Sequence, residues 1–309
     1  MRKPRRLGPG DRIALVAPAS SFDPADVERG AAEVRRLGFE PVFSSDVFER
    51  GLFTAGSAAV RAADFARAWS DPTVAAVIAI RGGYGSSQML PLLDGLRPAE
   101  APKIFIGYSD VTAVTTWLTC QHGVTAIHGP MIEGRLAAGP HRYDERSLLA
   151  LLRGDAGFEL APGTLEVLRS GQTRGPLFGG TITQLTASLG TPFAFAPPAG
   201  CVLFLEDVNE RPYRLHRLLT QLRLAGVFTQ ARALVFGQMQ GCDEPGGAGD
   251  RVTARDVIRD VTEGFGGPVL VGFPSGHTTG ACWSLPLGVD VTVLAGARPA
   301  VLVEESPVE

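Results

Sequence analysis

The sequence predicts an α/β fold: a doubly wound parallel sheet in the N-terminal part, followed by a second, smaller α/β unit. Three observations predict it. Short apolar runs of strand length alternate with segments of helical period through the first 120 residues. The run Thr73–Ile80 is apolar on both parities, as a strand covered on both faces of a parallel sheet should be. The chain is 309 residues long, enough for two units at about 100 to 200 residues per domain.

The elements follow in order. Ile13–Ala17 reads as a first buried strand, and Asp23-Pro24 supplies an N-cap and first-turn proline for a helix with Val27, Ala31 and Val34 on one face, stopped by Gly38. Pro41–Phe43 is a second strand and Ser57–Trp69 a second helix. After the Thr73–Ile80 strand comes the glycine-rich segment Arg81-Gly82-Gly83-Tyr84-Gly85. Ile104–Ile106 makes a fourth strand, and Val111, Val114 and Leu118 line one face of the helix after Ser109. Between Gly139 and Gly175 the period fades, apart from a short helix at Glu145–Leu152. This places an N-terminal domain at 1–140, a connection at 141–175 and a C-terminal domain at 176–309. In the last part, Thr181–Leu189 reads as a helix, Cys201–Leu205 as a strand, and Leu215, Leu218, Leu219 and Leu222 as the inner face of a helix ending at Gly226. Ala233–Phe236, Pro268–Val271, Val289–Val293 and Ala300–Val303 are further strands.

Composition excludes several classes of function. With 45% apolar and 20% charged residues the chain packs as a globular protein. A formal charge of −3 gives no net positive field for a polyanion, so nucleic acid is not an expected partner. No apolar run approaches the roughly 20 residues of a membrane span. The basic start Met1–Arg6 before the apolar Ile13–Ala19 loosely mimics a secretion signal, but Asp11 and Arg12 abut the apolar stretch and Pro18 interrupts it, so a cytoplasmic location is expected. Cys120, Cys201, Cys242 and Cys282 are far apart and form no CxxC pair, which suits free thiols and gives no metal site.

Chemistry concentrates where strands give way to loops. In Gly107-Tyr108-Ser109-Asp110-Val111-Thr112 a serine stands on a sharp bend between a buried strand and a helix, which lifts a hydroxyl clear of the sheet. The same serine would serve as a helix N-cap, and the fifth position of a G-x-S-x-G elbow is Val111 instead of glycine. Of the five histidines, His216 and His141 read as surface residues and His122 and His128 as flanks of the helix after Ser109. His277 follows a strand directly and is the best candidate base. Glu206 is the first charge after the apolar Leu203-Phe204-Leu205, so it can orient an imidazole from a strand end, with Glu210 as the alternative acid or a capping residue. The Arg81–Gly85 segment has neither a following Lys-Ser/Thr nor a G-x-G-x-x-G with a later acid, so it is not read as a nucleotide loop. The N–H of Gly82 or Gly83 would instead join that of Asp110 in an oxyanion hole. Arg81 would meet a substrate carboxylate or pair with an internal acid.

On these segments the chain resembles the LD-carboxypeptidase family of serine peptidases, the muramoyltetrapeptide carboxypeptidases, which includes the microcin-immunity peptidases. The resemblance runs nearly end to end. Its further landmarks are Gly10-Asp11-Arg12-Ile13-Ala14, Ala17-Pro18-Ala19, His128-Gly129-Pro130-Met131, Gly179-Gly180, Gly190-Thr191-Pro192, Leu205-Glu206-Asp207, Pro212-Tyr213-Arg214 and Gly276-His277. It implies a flavodoxin-like N-terminal sheet, an active site between the two units, a triad of Ser109, Glu206 and His277, no cofactor, and a homodimer. Arg81, Tyr84 and Gly180 are the substrate-binding residues it suggests. The implied activity is cleavage of an L,D-peptide bond, releasing D-Ala from a murein tetrapeptide in cell-wall recycling. The alternatives are cleavage of a peptidyl or aminoacyl nucleotide, or a non-enzymatic anion-binding protein. Phe178 and Thr181 stand where the family often has tryptophan and asparagine, which predicts altered contacts in the groove.

Overall fold

The computed structural model describes residues 1–93, 95–245 and 251–309. The first sheet is built from β1 (Arg12–Val16), β2 (Glu40–Val42), β3 (Val74–Ala79), β4 (Ile104–Gly107) and β5 (Ala126–His128), all parallel in the spatial order β2-β1-β3-β4-β5. That is the flavodoxin-like order. β3 is buried along its whole length, as its two-sided apolar pattern requires. The covering helices are α1 (Pro24–Arg36), capped by the Asp23 side chain, α2 (Ala58–Ser70), capped by Ser57, and the short α3 (Thr112–Thr116), which runs on into a π turn at Trp117–Gln121.

After α4 (Glu145–Arg153), the connection expected at 141–175 contains β6 (Phe158–Leu160), β7 (Glu166–Arg169) and the first residues of β8 (Gly171–Thr181). The sequence hid them for a physical reason. β6 and β7 end the second sheet on either side and are only three and four residues long with exposed and buried positions mixed, so neither carries an apolar period. α5 (Ile182–Ser188) then leads to β9 (Cys201–Glu206), α6 (Pro212–Leu224), β10 (Ala231–Gly237), α7 (Ala254–Val261) and β11 (Val269–Phe273). α7, which the sequence reading missed, begins with a reciprocal cap between Thr253 and Asp256. Strands β12 (Leu285–Leu287), β13 (Asp290–Ala295) and β14 (Ala300–Val303) close the chain. The second sheet runs β6-β14-β13-β8-β9-β10-β11-β7, with the four central strands β8 to β11 parallel.

Two features weld the sheets. β12, far along the chain, crosses back to pair antiparallel with β5, Leu285 opposite His128. One buried apolar cluster also runs through both, from Ile13 and Ile106 of the first sheet to Val202, Phe204 and Leu270 of the second. The cysteines are free thiols, Cys201, Cys242 and Cys282 buried and Cys120 half-buried. Among the described residues no helix is long and apolar enough to cross a membrane.

A shared core predicts shared unfolding. Denaturant unfolding should show one transition by tryptophan fluorescence and by circular dichroism, and Leu285→Ala, which empties a buried site on β12, should lower stability by about 2 to 5 kcal/mol within that single transition. Two separated transitions in the parent protein would contradict the shared core.

Candidate active site

The parallel strands of both sheets direct their carboxyl ends to one cleft, where loops can carry chemistry without disturbing the core. The end of β4 bends sharply. Ser109 has φ of 67°, a conformation that costs an L-residue roughly 1 to 3 kcal/mol and is held by what surrounds it. Asn209 and Met239, which follow β9 and β10, are the other non-glycine residues with positive φ among those described. Gly107 makes the bend possible, since a β-carbon there would lie 2.5 Å from Val111 Cγ2. Ser109 is partly exposed, whereas Asp110 is buried and locks the turn to the glycine-rich loop. Its Oδ2 accepts the Ser86 N–H at 2.8 Å and its carbonyl accepts the Ser86 hydroxyl at 2.6 Å.

The glycine-rich loop follows β3 and lies against the serine. A β-carbon on Gly82 would stand 2.8 Å from Ser109 Cβ, 2.9 Å from its Oγ and 3.4 Å from the Asp110 nitrogen, so only glycine lets the backbone come this close. Gly83, with φ of 99°, packs instead on Ser20, whose hydroxyl accepts the Tyr84 N–H at 3.1 Å. Tyr84 is 52% exposed and meets the exposed Phe53 edge-on at 6.3 Å, an aromatic rim beside the loop. Arg81 pairs with an internal acid: its Nε lies 2.9 Å from Glu133 Oε2 and a terminal nitrogen donates to the Ser21 carbonyl at 2.6 Å. Burial holds the Glu133 carboxyl above its usual range despite this cation.

On the other side of the cleft, Glu206 ends β9 with no solvent exposure. Its Oε2 accepts both the His277 ring Nδ1–H at 2.8 Å and the His277 backbone N–H at 3.0 Å, and its Oε1 accepts the Thr181 hydroxyl. Glycines make the room: a β-carbon on Gly276 would reach 2.7 Å from the Glu206 carboxyl carbon, and one on Gly237 2.6 Å from Glu206 Cβ. Burial alone would raise the Glu206 pKa, but the charge and hydrogen bond of His277, with smaller help from His128 and Thr181, bring it down to about 2. The carboxylate is therefore ionised and accepts only, so the proton sits on His277 Nδ1 and leaves Nε2 bare. Burial would lower the His277 pKa, yet Glu206 outweighs it and the net shift is upward.

The His277 ring stands edge-on to the Tyr108 ring with centroids 5.1 Å apart, and Tyr108 directly precedes Ser109. The Glu206–His277 pair is thus linked to the serine turn through Tyr108, with no direct Ser109–His277 hydrogen bond. Glu210, the alternative acid, lies beyond the strand end on the loop before α6. His216 pairs with Asp260 at 2.9 Å on the surface and His141 is exposed, as their sequence positions suggest, while His122 meets Trp117 edge-on.

Several expected substrate contacts turn inward. Gly180 is buried, and the close approach it permits is to Thr112 of α3, whose Cγ2 a β-carbon would meet at 2.7 Å. Phe178 is packed in the second core, and Thr181 serves Glu206, because β8 runs through the interior and not along the groove. Other residues of the site were missed. His128, fully buried at the end of β5, holds its Nδ1 2.8 Å from the Ser275 hydroxyl and its Nε2 3.9 Å from Glu206 Oε1. Burial drives its pKa down to about 4, so it is neutral. Asp207, lifted by burial to about 6, accepts the backbone N–H and hydroxyl of Thr183 at the start of α5. Nothing local distinguishes these residues from ordinary core positions, although His128 opens the His-Gly-Pro-Met landmark. Among the described residues no three His, Cys, Asp or Glu side chains form a group able to hold a metal ion.

Comparison with known proteins places this cleft in a family. Residues 13–129 match the model of the LD-carboxypeptidase N-terminal domain and residues 174–293 that of the C-terminal domain. The chain belongs to the LD-carboxypeptidase family. It is 36% identical to a putative carboxypeptidase of Streptomyces coelicolor, covering 97% of each chain. It is 34% identical to the murein tetrapeptide carboxypeptidase of Pseudomonas aeruginosa, over 75% of this chain and 77% of that one. The fold superposes on MccF in complex with glutamyl sulfamoyl guanosine with a TM-score of 0.91 over the whole of both chains, at 23% identity.

The buried neutral histidine has a measurable consequence. His128 released by unfolding binds a proton below its ordinary pKa of about 6.5, whereas the folded ring resists until about 4, so acidification across that interval favours the unfolded state. The stability lost between pH 6.5 and 4.5 should be smaller in His128→Gln than in the parent, as read by urea midpoints at each pH. Equal losses would show that His128 titrates alike in both states.

Proposed function

We propose that this member of the family is a cytoplasmic, cofactor-free serine carboxypeptidase. It cleaves the bond between an L-configured centre and a terminal D-residue, releasing D-Ala from a murein tetrapeptide. The observation that carries the reading is the Glu206–His277 pair, bonded at 2.8 Å, with its ring packed on the residue before the strained Ser109. The murein tetrapeptide carboxypeptidase among the relatives supports the substrate class.

In this reading His277 Nε2 takes the Ser109 proton as the hydroxyl oxygen attacks the scissile carbonyl. Glu206 stays ionised and stabilises the imidazolium, and the N–H groups of Asp110 and of Gly82 or Gly83 receive the oxyanion. The imidazolium then protonates the leaving amine, and water, activated by the same ring, releases the acyl group. The closeness of the Gly82 backbone to Ser109 and the Asp110 nitrogen favours this loop as the second donor. Arg81 and Tyr84 flank the cleft as candidate contacts for the substrate, and a homodimer is the proposed assembly.

Ser109→Ala should abolish D-Ala release while leaving the fold intact, the residue of catalysis being on the order of 10³ to 10⁴ over water. Release at the parent rate would refute the mechanism. A panel pairing murein peptides with peptidyl adenylates, read by mass spectrometry, separates the proposed substrate from the nucleotide class. The pH profile carries a second expectation. The base works when neutral, and Glu206 raises the His277 pKa, so kcat/KM should climb through an apparent pKa above about 6.5. A rate flat from pH 5 to 8, with chemistry limiting, would exclude His277 as the base.

A further inference from the structure

Arg135 lies outside every motif of the sequence, directly before a short 3-10 turn at Leu136–Ala138. Its side chain is buried, with 4% of the residue exposed, and it contacts no carboxylate among the described residues. Its donors are spent on backbone carbonyls and one phenol. One terminal nitrogen donates to the carbonyls of Gly276 at 2.9 Å and Thr278 at 3.0 Å. The other donates to Gly280 at 3.0 Å and more weakly to Arg142 at 3.4 Å, and Nε donates to the Tyr108 hydroxyl at 3.2 Å.

Those acceptors are not scattered. Gly276 and Thr278 are the neighbours of His277 on either side, and Tyr108 is the neighbour of Ser109. A buried cation with no carboxylate bonded to it is costly, even with the Glu206 charge near enough to favour it, and an apolar side chain would fill such a space at less expense. What a guanidinium supplies and an apolar group does not is a planar fan of donors at fixed angles. The loop needs such anchors: it bends at Gly276, with φ of 77°, where the backbone has little preference of its own.

We infer that Arg135 is a positioning residue for hydrolysis: by binding the carbonyls on both sides of His277 and the phenol beside Ser109, it holds base and nucleophile in register. The inference rests on the hydrolase reading above. Hydrogen bonds from the ring and backbone N–H of His277 to Glu206 fix the orientation of the imidazole, and Arg135 holds the carbonyls on either side of it. The other side-chain anchors of the loop, Ser275 with His128, the His277 N–H with Glu206, Thr278 with Gln238 and Arg142 with Thr279, leave these two carbonyls untouched.

The groups that face His277 are Glu206 and Asp207 at the end of β9, His128 on β5, Tyr108 on the nucleophile turn, and Arg135. Of these, Glu206 and Asp207 favour the imidazolium and Arg135 opposes it. Two variants therefore separate the roles. Arg135→Lys keeps the charge but cannot span both carbonyls, and should lower kcat by about 100-fold, the effect of a displacement near 1 Å, with KM and the acid limb little changed. Arg135→Met also removes the charge, and its acid limb should move to higher pH. A merely structural role would reduce the folded fraction and leave kcat and the pH limb of the folded protein where they were.

Both variants are assayed beside Ser109→Ala, on full-length protein whose folded fraction is measured by circular dichroism. Where Arg135→Met does not fold, Arg135→Lys decides alone. A folded Arg135→Lys with kcat within about twofold of the parent overturns the inference, and a loss confined to KM does the same. Undiminished hydrolysis by Ser109→Ala would overturn the hydrolase reading itself. A dead Ser109→Ala beside a fully active Arg135→Lys would overturn only the role given to Arg135.

Discussion

The constraint on which the site depends is the burial of an ionised carboxylate. Glu206 has no contact with solvent, and a charge taken out of water must find partners or be neutralised. Its partners are the ring and backbone of His277 and the hydroxyl of Thr181, delivered by two other segments of chain. Satisfying the charge therefore fixes the end of β8, the end of β9 and the loop after β11 relative to one another. The tautomer of His277 follows from the same requirement, because an ionised acceptor draws the proton to Nδ1.

Ser109 belongs to the other sheet, so bringing it towards His277 needs a second set of constraints. The β12–β5 pairing and the shared apolar core set the two sheets together, and the Ser86–Asp110 clip fixes the serine turn to the glycine-rich loop. Glycine then acts at two kinds of place. Gly82 and Gly107 let backbone approach the serine, and Gly237 and Gly276 leave the volume that the Glu206 side chain occupies. Large side chains at any of these four positions would close the space the chemistry uses. The strain of Ser109 is one local cost that this scaffold carries, consistent with the way functional turns depart from relaxed geometry.

Much of the fold was legible because its signals are local. The Asp23-Pro24 cap, the two-sided apolar run of β3 and the leucine face of α6 each state an element without reference to the rest of the chain. The strands β6, β7 and β12 were not legible, since they owe their existence to partners elsewhere in the chain and are only three or four residues long. The site divides in the same way. Ser109, Glu206 and His277 stand where strands end, which sequence displays, and the resemblance to a family singled out Glu206 over Glu210. His128, Thr181 and Arg135 act through distant neighbours, a relation that no spacing encodes. Phe178 and Thr181 were expected to alter contacts in the groove because they depart from the family pattern, but whether a strand residue faces groove or core depends on the sheet it joins.

The central claim is that a buried, ionised Glu206 makes His277 a base for Ser109. The most direct test is covalent labelling with a fluorophosphonate, followed by intact mass and peptide mapping of the parent and Glu206→Gln. The account predicts a single adduct on Ser109 in the parent, formed far more slowly when the carboxylate is replaced by a neutral amide of the same shape. Labelling of Ser109 at equal rates in both proteins, or modification at another residue instead, would contradict it.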